Sequence, residues 1–143
     1  MQETNSEDFN HLKIHSQFSI CEGAIKLDDL KDISKDNKLK AIGLCDTSNL
    51  CGALEFAEKL SKSGSQPIIG TQINFKFNDT TGLIPLFALN ENGYKTIIKL
   101  SSLSFLKLIL TLQQLFHSPV FAFFPHDQKW LATLAPNSTC FTV

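Results

Sequence analysis

Polar and apolar residues alternate from His11 to His15, which predicts a short strand with Leu12 and Ile14 on one face. Leu27, Leu30 and Ile33 then recur at helical spacing, so a helix is predicted over 27–37. Residues 41–45 form a continuous small and apolar run, the pattern of a strand buried in a parallel sheet. Residues 46–49 read as a polar turn. A second helix is predicted to follow, with Leu50, Ala53, Leu54, Ala57 and Leu60 on its apolar stripe and Ser63-Gly64 at its end. A third strand is expected over 67–77, a turn over 78–82, and a fourth strand over 83–89, antiparallel to the third. The remainder reads as a helix over 94–106, a short helix over 112–116 and a strand over 120–124. Alternating strands and helices argue an α/β fold with a largely parallel sheet.

In such folds chemistry gathers at the C-terminal ends of the strands. His15, Asp46 and Gln72 all fall at or near predicted strand ends. They are therefore expected to converge on one mouth although they lie far apart in sequence.

Composition narrows what that mouth serves. A chain of 143 residues is one domain or part of one. Its 43% of apolar residues and twelve Phe suffice for a core, so order along most of the length is expected. The formal net charge of -1 supplies no global basic field, so no direct grip on nucleic acid is expected from this segment. Residues 1–8 are acidic and polar, unlike a signal peptide, and no apolar run is long enough to span a bilayer. A cytoplasmic protein with no membrane partner is the expectation. Cys21, Cys45, Cys51 and Cys140 form no Cys-x-x-Cys pair, which argues for reduced thiols and against a zinc ribbon. No Gly-x-Gly phosphate loop and no Gly-x-Ser-x-Gly elbow is present.

Four blocks carry a family resemblance. They are Phe9-Asn10-His11-Leu12-Lys13-Ile14-His15-Ser16, Gly52-Ala53-Leu54-Glu55-Phe56, Pro67-Ile68-Ile69-Gly70, and the long phrase from Asn90 through Tyr94 to Ser102. In order and spacing they resemble the polymerase-and-histidinol-phosphatase (PHP) domain at the N-terminus of bacterial DNA polymerase III alpha subunits. The resemblance covers Phe9 to about Phe105. It divides the chain into a polar tail (1–8), the N-terminal part of a PHP domain (9–106) and a divergent segment (107–143). It implies the N-terminal portion of a distorted (β/α)7 barrel, since a full (β/α) barrel takes about 250 residues. The polymerase active site of the parent nucleotidyltransferase would lie beyond Val143.

Metal-binding members of that family carry a His-x-His pair, an acid before Gly, a His after Thr-Asp, and an acid after the Pro-Ile-x-Gly turn. By this resemblance the corresponding positions here are Lys13, His15, Glu22, Thr47 and Gln72. A lysine ammonium has no lone pair for a metal, Thr47 offers a weak neutral oxygen, and Gln72 offers an amide where a carboxylate could bridge two ions. His11 does not fill the gap: four residues along a strand separate it from His15 by about 13 Å. Zinc takes three or four good ligands, and His15 and Glu22 are the residual candidates, so a degenerate site with no metal and no catalytic residue is expected. Lys13 could instead stand near Glu22 or Asp46 as a fixed charge substitute, or snorkel to solvent.

Copies with depleted ligands are associated with a structural task, packing within the polymerase core and docking the proofreading exonuclease subunit. That is the function the resemblance implies here. Two alternatives stay open. One is a residual phosphoesterase using zinc, manganese or magnesium, with further ligands from His117, His126 and Asp127. The other is a gene fragment without function.

Overall fold

The computed structural model describes residues 10–77, 80–105 and 120–122. In chain order these form β1 (His11–Ile14), α1 (Leu27–Asp36), β2 (Ala41–Thr47), α2 (Ala53–Ser63), β3 (Gln66–Phe77), β4 (Thr80–Ala88), α3 (Glu91–Phe105) and β5 (Val120–Ala122). The strands make one sheet in the order β1-β2-β3-β4-β5. β1, β2 and β3 run parallel, and β3, β4 and β5 run antiparallel to their neighbours. The sheet is thus mixed: β4 runs antiparallel to β3 as expected, and the antiparallel β5 leaves the sheet less parallel than expected. The parallel half uses helical crossovers, whereas β3 and β4 are consecutive strands that fold back on each other directly.

The register fixes what each face carries. Ile42, Leu44 and Asp46 stand beside Pro67, Ile69 and Thr71, and Ile73 stands opposite Ile84. Side chains of such partners share a face. This face is apolar for most of its length and is covered by the helices. Ile42 and Leu44 pack with Leu27, Leu30, Phe56 and Leu60 of α1 and α2 in one cluster. Ile73, Ile84 and Leu86 pack with Ile97 and Leu100 of α3 in a second. Each fully buried side chain of this size is worth about 1.5–3 kcal/mol relative to exposure, so these two clusters hold the helices down. The opposite face carries Cys45, Gly70 and Phe87 in one row and Thr47, Gln72 and Pro85 in the next.

The helices sit where the apolar spacing places them, but their stripes are rotated. In α1 the buried residues are Leu27, Leu30 and Ser34, while Ile33 is exposed. Ser34 tolerates burial because its hydroxyl meets that of Ser65, which also donates to the Leu39 carbonyl at 2.6 Å. In α2 the buried residues are Ala53, Phe56 and Leu60, and Leu54 is 72% exposed. The i, i+3, i+7 line through Phe56 wins because an aromatic ring fills the cleft above Ile42 and Leu44 better than a leucine on the helix flank. Gly64 closes α2 in the left-handed region at φ 87°, and Ser65 donates back to the Leu60 carbonyl at 3.1 Å.

Asn90 caps α3. Its side-chain oxygen accepts from the Gly93 amide at 2.9 Å, so the helix starts at Glu91, three residues before the position expected from its apolar pattern. β4 likewise starts early. Thr80 and Thr81, expected in a turn, pair with Phe77 and Lys76. The helix expected over 112–116 lies outside the described residues, as do residues 1–8. Among the described residues no helix is long and apolar enough to cross a membrane.

Candidate functional site

The C-terminal ends of β1, β2 and β3 lie side by side, and the segment 16–25 folds across them. What pins that segment is Asp46. It belongs to β2 and is 1% exposed, where a residue of a polar turn was expected. Its carboxylate accepts three hydrogen bonds: the Ser16 amide at 2.6 Å, the Ser16 hydroxyl at 2.7 Å and the Ser19 hydroxyl at 2.7 Å. Charge-assisted bonds of this kind satisfy a carboxylate that would otherwise be costly to bury. The Ser19 oxygen in turn accepts the Thr47 amide at 3.1 Å, and Asn49 donates to the Phe18 carbonyl at 3.1 Å.

Within the segment the chain doubles back on itself. The Ser19 carbonyl accepts from both the Glu22 and the Gly23 amides. A side-chain carbon at Gly23 would stand 2.3 Å from the Ser16 carbonyl oxygen and 2.5 Å from that of His15, so only glycine fits where the chain returns. This return aims Glu22 at the end of β2.

Thr47 and Gln72 sit side by side in register at the mouth. The Thr47 hydroxyl donates a short hydrogen bond to Glu22, and His15 Nδ1 lies 3.8 Å from the same carboxylate oxygen. Gln72 is 4% exposed and its side-chain oxygen has no hydrogen-bond partner, nor has the buried His15 Nδ1. The turn after β2 closes the arrangement. Ser48, at φ 56°, donates its amide to the Gln72 carbonyl at 2.7 Å and accepts from the Ser101 hydroxyl at 3.1 Å. The Thr71 hydroxyl reaches the carbonyls of Asp46 and Asn49. These bonds tie β2, β3 and α3 together at one level.

The convergence expected of His15, Asp46 and Gln72 is therefore present, with Glu22 and Thr47 among them. One expected residue stands elsewhere. His11 opens β1 opposite Ile42, at the far end of that strand from the mouth. Lys13 is exposed and makes no ion pair with Glu22 or Asp46, so of the two expectations for it the solvent-facing one holds and the charge substitute does not. Asp46 is already satisfied by three donors from Ser16 and Ser19, so it does not draw the ammonium inward. The Lys13 charge acts on its neighbour Cys45 instead. Burial pushes the Cys45 thiol up to about 12, Lys13 opposes that rise, and Asp46 adds to it. Sequence reasoning missed Ser16 and Ser19. Two hydroxyls three apart after a strand were the available signal.

A thiol held neutral and fully buried is neither nucleophile nor metal ligand at neutral pH. Cys45 is expected to resist iodoacetamide at pH 8 in the native protein, while the exposed Cys21 and Cys51 react. Peptide mass spectrometry before and after urea checks this. Native labelling of Cys45 at the rate of Cys51 would contradict it.

Among the described residues no group of three or more His, Cys, Asp or Glu side chains could hold a metal ion. His117, His126 and Asp127 lie outside the described residues.

Comparisons with known proteins agree with this architecture. The sequence model of the PHP domain family matches residues 11–140. DNA polymerase III subunit alpha of Rickettsia felis is 43% identical over 101 residues, covering 70% of this chain and 8% of that protein. The same subunit of Aquifex aeolicus is 35% identical over 116 residues, covering 70% of this chain and 10% of that protein. The chain thus spans a tenth or less of the length of these relatives. Among solved structures, a protein described as a metal-dependent phosphoesterase from Bifidobacterium adolescentis superposes with a TM-score of 0.54 at 19% identity. That match covers 65% of this chain and 32% of the other. A two-domain protein from Bacteroides vulgatus with a PHP-like phosphoesterase part gives 0.54 at 17% identity, covering 93% of this chain and 38% of the other. At these identities the likeness is one of fold: this chain forms part of such a barrel.

Proposed function

From the premise that this chain belongs to the PHP domain family, we propose that it is a non-catalytic module of a replicative DNA polymerase III alpha subunit. It works by packing within the polymerase core and docking the proofreading exonuclease subunit, in the cytoplasm, without hydrolytic chemistry of its own. The similarity to short segments of alpha subunits supports the parentage. The net charge of -1 supports a role away from the DNA backbone.

The observation that carries the non-catalytic reading is the donor set at the mouth. Metal-binding relatives in this family imply a divalent ion there. His15 and Glu22 are the two strong donors at the positions the resemblance assigns, and one oxygen of the Glu22 carboxylate accepts the Thr47 hydroxyl. Gln72 contributes an amide oxygen and Lys13 contributes a positive charge, which repels a cation. This set does not fit a zinc, manganese or magnesium ion.

Two measurements test the reading. The full chain, incubated with zinc, manganese and magnesium and then dialysed, is expected to retain sub-stoichiometric metal and to leave bis(p-nitrophenyl) phosphate intact. Immobilised chain is expected to retain purified exonuclease subunit. Stoichiometric metal with phosphodiester hydrolysis would establish the phosphoesterase reading instead, and failure to retain the exonuclease would remove the docking role.

A further inference from the structure

We propose that the Thr47–Glu22 hydrogen bond and the Asp46–serine network form a latch that holds residues 16–23 over the strand ends without a metal. The inference rests on the reading that the mouth lacks a divalent ion. It adds what performs the ion's mechanical task in this chain, namely cross-linking the segment after β1 to the end of β2.

Phe18 packs its ring against the core cluster of α1, α2 and β2, but beyond it Ile20 is 85% exposed and Cys21 and Glu22 are exposed. Residues 20–23 must therefore be held by polar contacts or open locally. Beside the bond from Asn49 in the turn to the Phe18 carbonyl, three ties run from the segment to the end of β2. Ser16 and Ser19 bind the Asp46 carboxylate. The Ser19 oxygen accepts the Thr47 amide. Glu22 accepts the Thr47 hydroxyl.

The first two ties secure the near half of the segment. Only the third reaches its far side, six residues beyond Ser16, where the chain turns at Cys21 with φ 66°. Thr47 is therefore a positioning residue. A hydroxyl can donate to a carboxylate directly, whereas two ligands of a shared ion are held apart by it. The same Glu22 side chain that would be a metal donor has become a hydrogen-bond acceptor closed against its own fold.

The latch is tested by hydrogen–deuterium exchange of the full chain, reading peptides that span 16–25. Thr47→Val and Glu22→Ala are each expected to speed exchange there roughly fivefold, the effect of one partly exposed hydrogen bond to a charged acceptor. The double variant should exchange no faster than either single one, and Thr47→Ser should restore the native rate. Exchange elsewhere in the sheet should not change, which a general loss of packing would not permit. Unchanged exchange in both Thr47→Val and Glu22→Ala overturns the latch and leaves the non-catalytic reading intact. If Thr47→Val unfolds, Glu22→Ala decides alone, since Glu22 is exposed. Exchange of the native protein that rises with EDTA and falls again with zinc overturns the metal-free premise itself.

Discussion

Substituting Lys13→His, Thr47→His and Gln72→Glu together is expected to convert the mouth into a site that binds zinc with micromolar or tighter affinity, against no measurable binding in the native chain. The three changes supply two imidazoles and a carboxylate to the existing His15 and Glu22. Thr47 and Gln72 are neighbours in register, and Glu22 already reaches the Thr47 side chain, so two of the three new donors arrive beside an acid that is in place. Removing the Thr47 hydroxyl also frees the Glu22 carboxylate, and removing Lys13 deletes the nearby positive charge. Micromolar affinity corresponds to about 8 kcal/mol. Ligand binding to the native state stabilises it by about 2.7 kcal/mol at a hundredfold excess over Kd, which for a chain of this size raises Tm on the order of 10 °C. Isothermal titration calorimetry and thermal denaturation with and without zinc measure both effects. Equal zinc affinity in the native chain and the triple variant would mean that these positions are not what separates this chain from metal-binding relatives.

That design depends on which parts of the site the sequence reveals. β1 was legible from its polar–apolar alternation and β2 from its short, continuous apolar run, and their ends were placed together because strand ends in α/β folds gather. Asp46 was misread as turn because a carboxylate inside a strand needs donors to be tolerable, and its donors, Ser16 and Ser19, lie 30 and 27 residues away. Long-range satisfaction of a polar group leaves no periodic signal. For Lys13 the sequence left open both a charge partner at the mouth and a solvent-facing side chain, and the exposed position decides for the second. The helix stripes shifted because spacing alone ranks Leu54 and Phe56 as equals, and the cleft over β2 decides between them. Thr80 and Thr81 were placed in a turn for their polarity, although β-branched threonine suits a strand as well.

The same reasoning predicts that Asp46→Ala costs more stability than removal of any single residue facing the mouth, about 4 kcal/mol. Three donors lose their acceptor at once: the Ser16 amide, the Ser16 hydroxyl and the Ser19 hydroxyl, in a place where Ser16 is 0% and Ser19 2% exposed. Each buried donor left unpaired costs about 1–3 kcal/mol, partly relieved where water enters the space the carboxylate vacates. Against a total stability of roughly 5–15 kcal/mol that loss leaves a marginal fold. Asp46→Asn is expected to cost about half as much, since one amide oxygen still accepts while the amide nitrogen faces donors. Ser19→Ala should cost about 1–1.5 kcal/mol, the share of one such bond. Urea denaturation followed by circular dichroism gives all three values on one scale. The order Asp46→Ala, then Asp46→Asn, then Ser19→Ala follows from counting donors that remain satisfied. An Asp46→Ala chain within about 1 kcal/mol of the native one would mean that the helices and the sheet hold the mouth together without the carboxylate, since solvent would then be replacing its bonds at little cost.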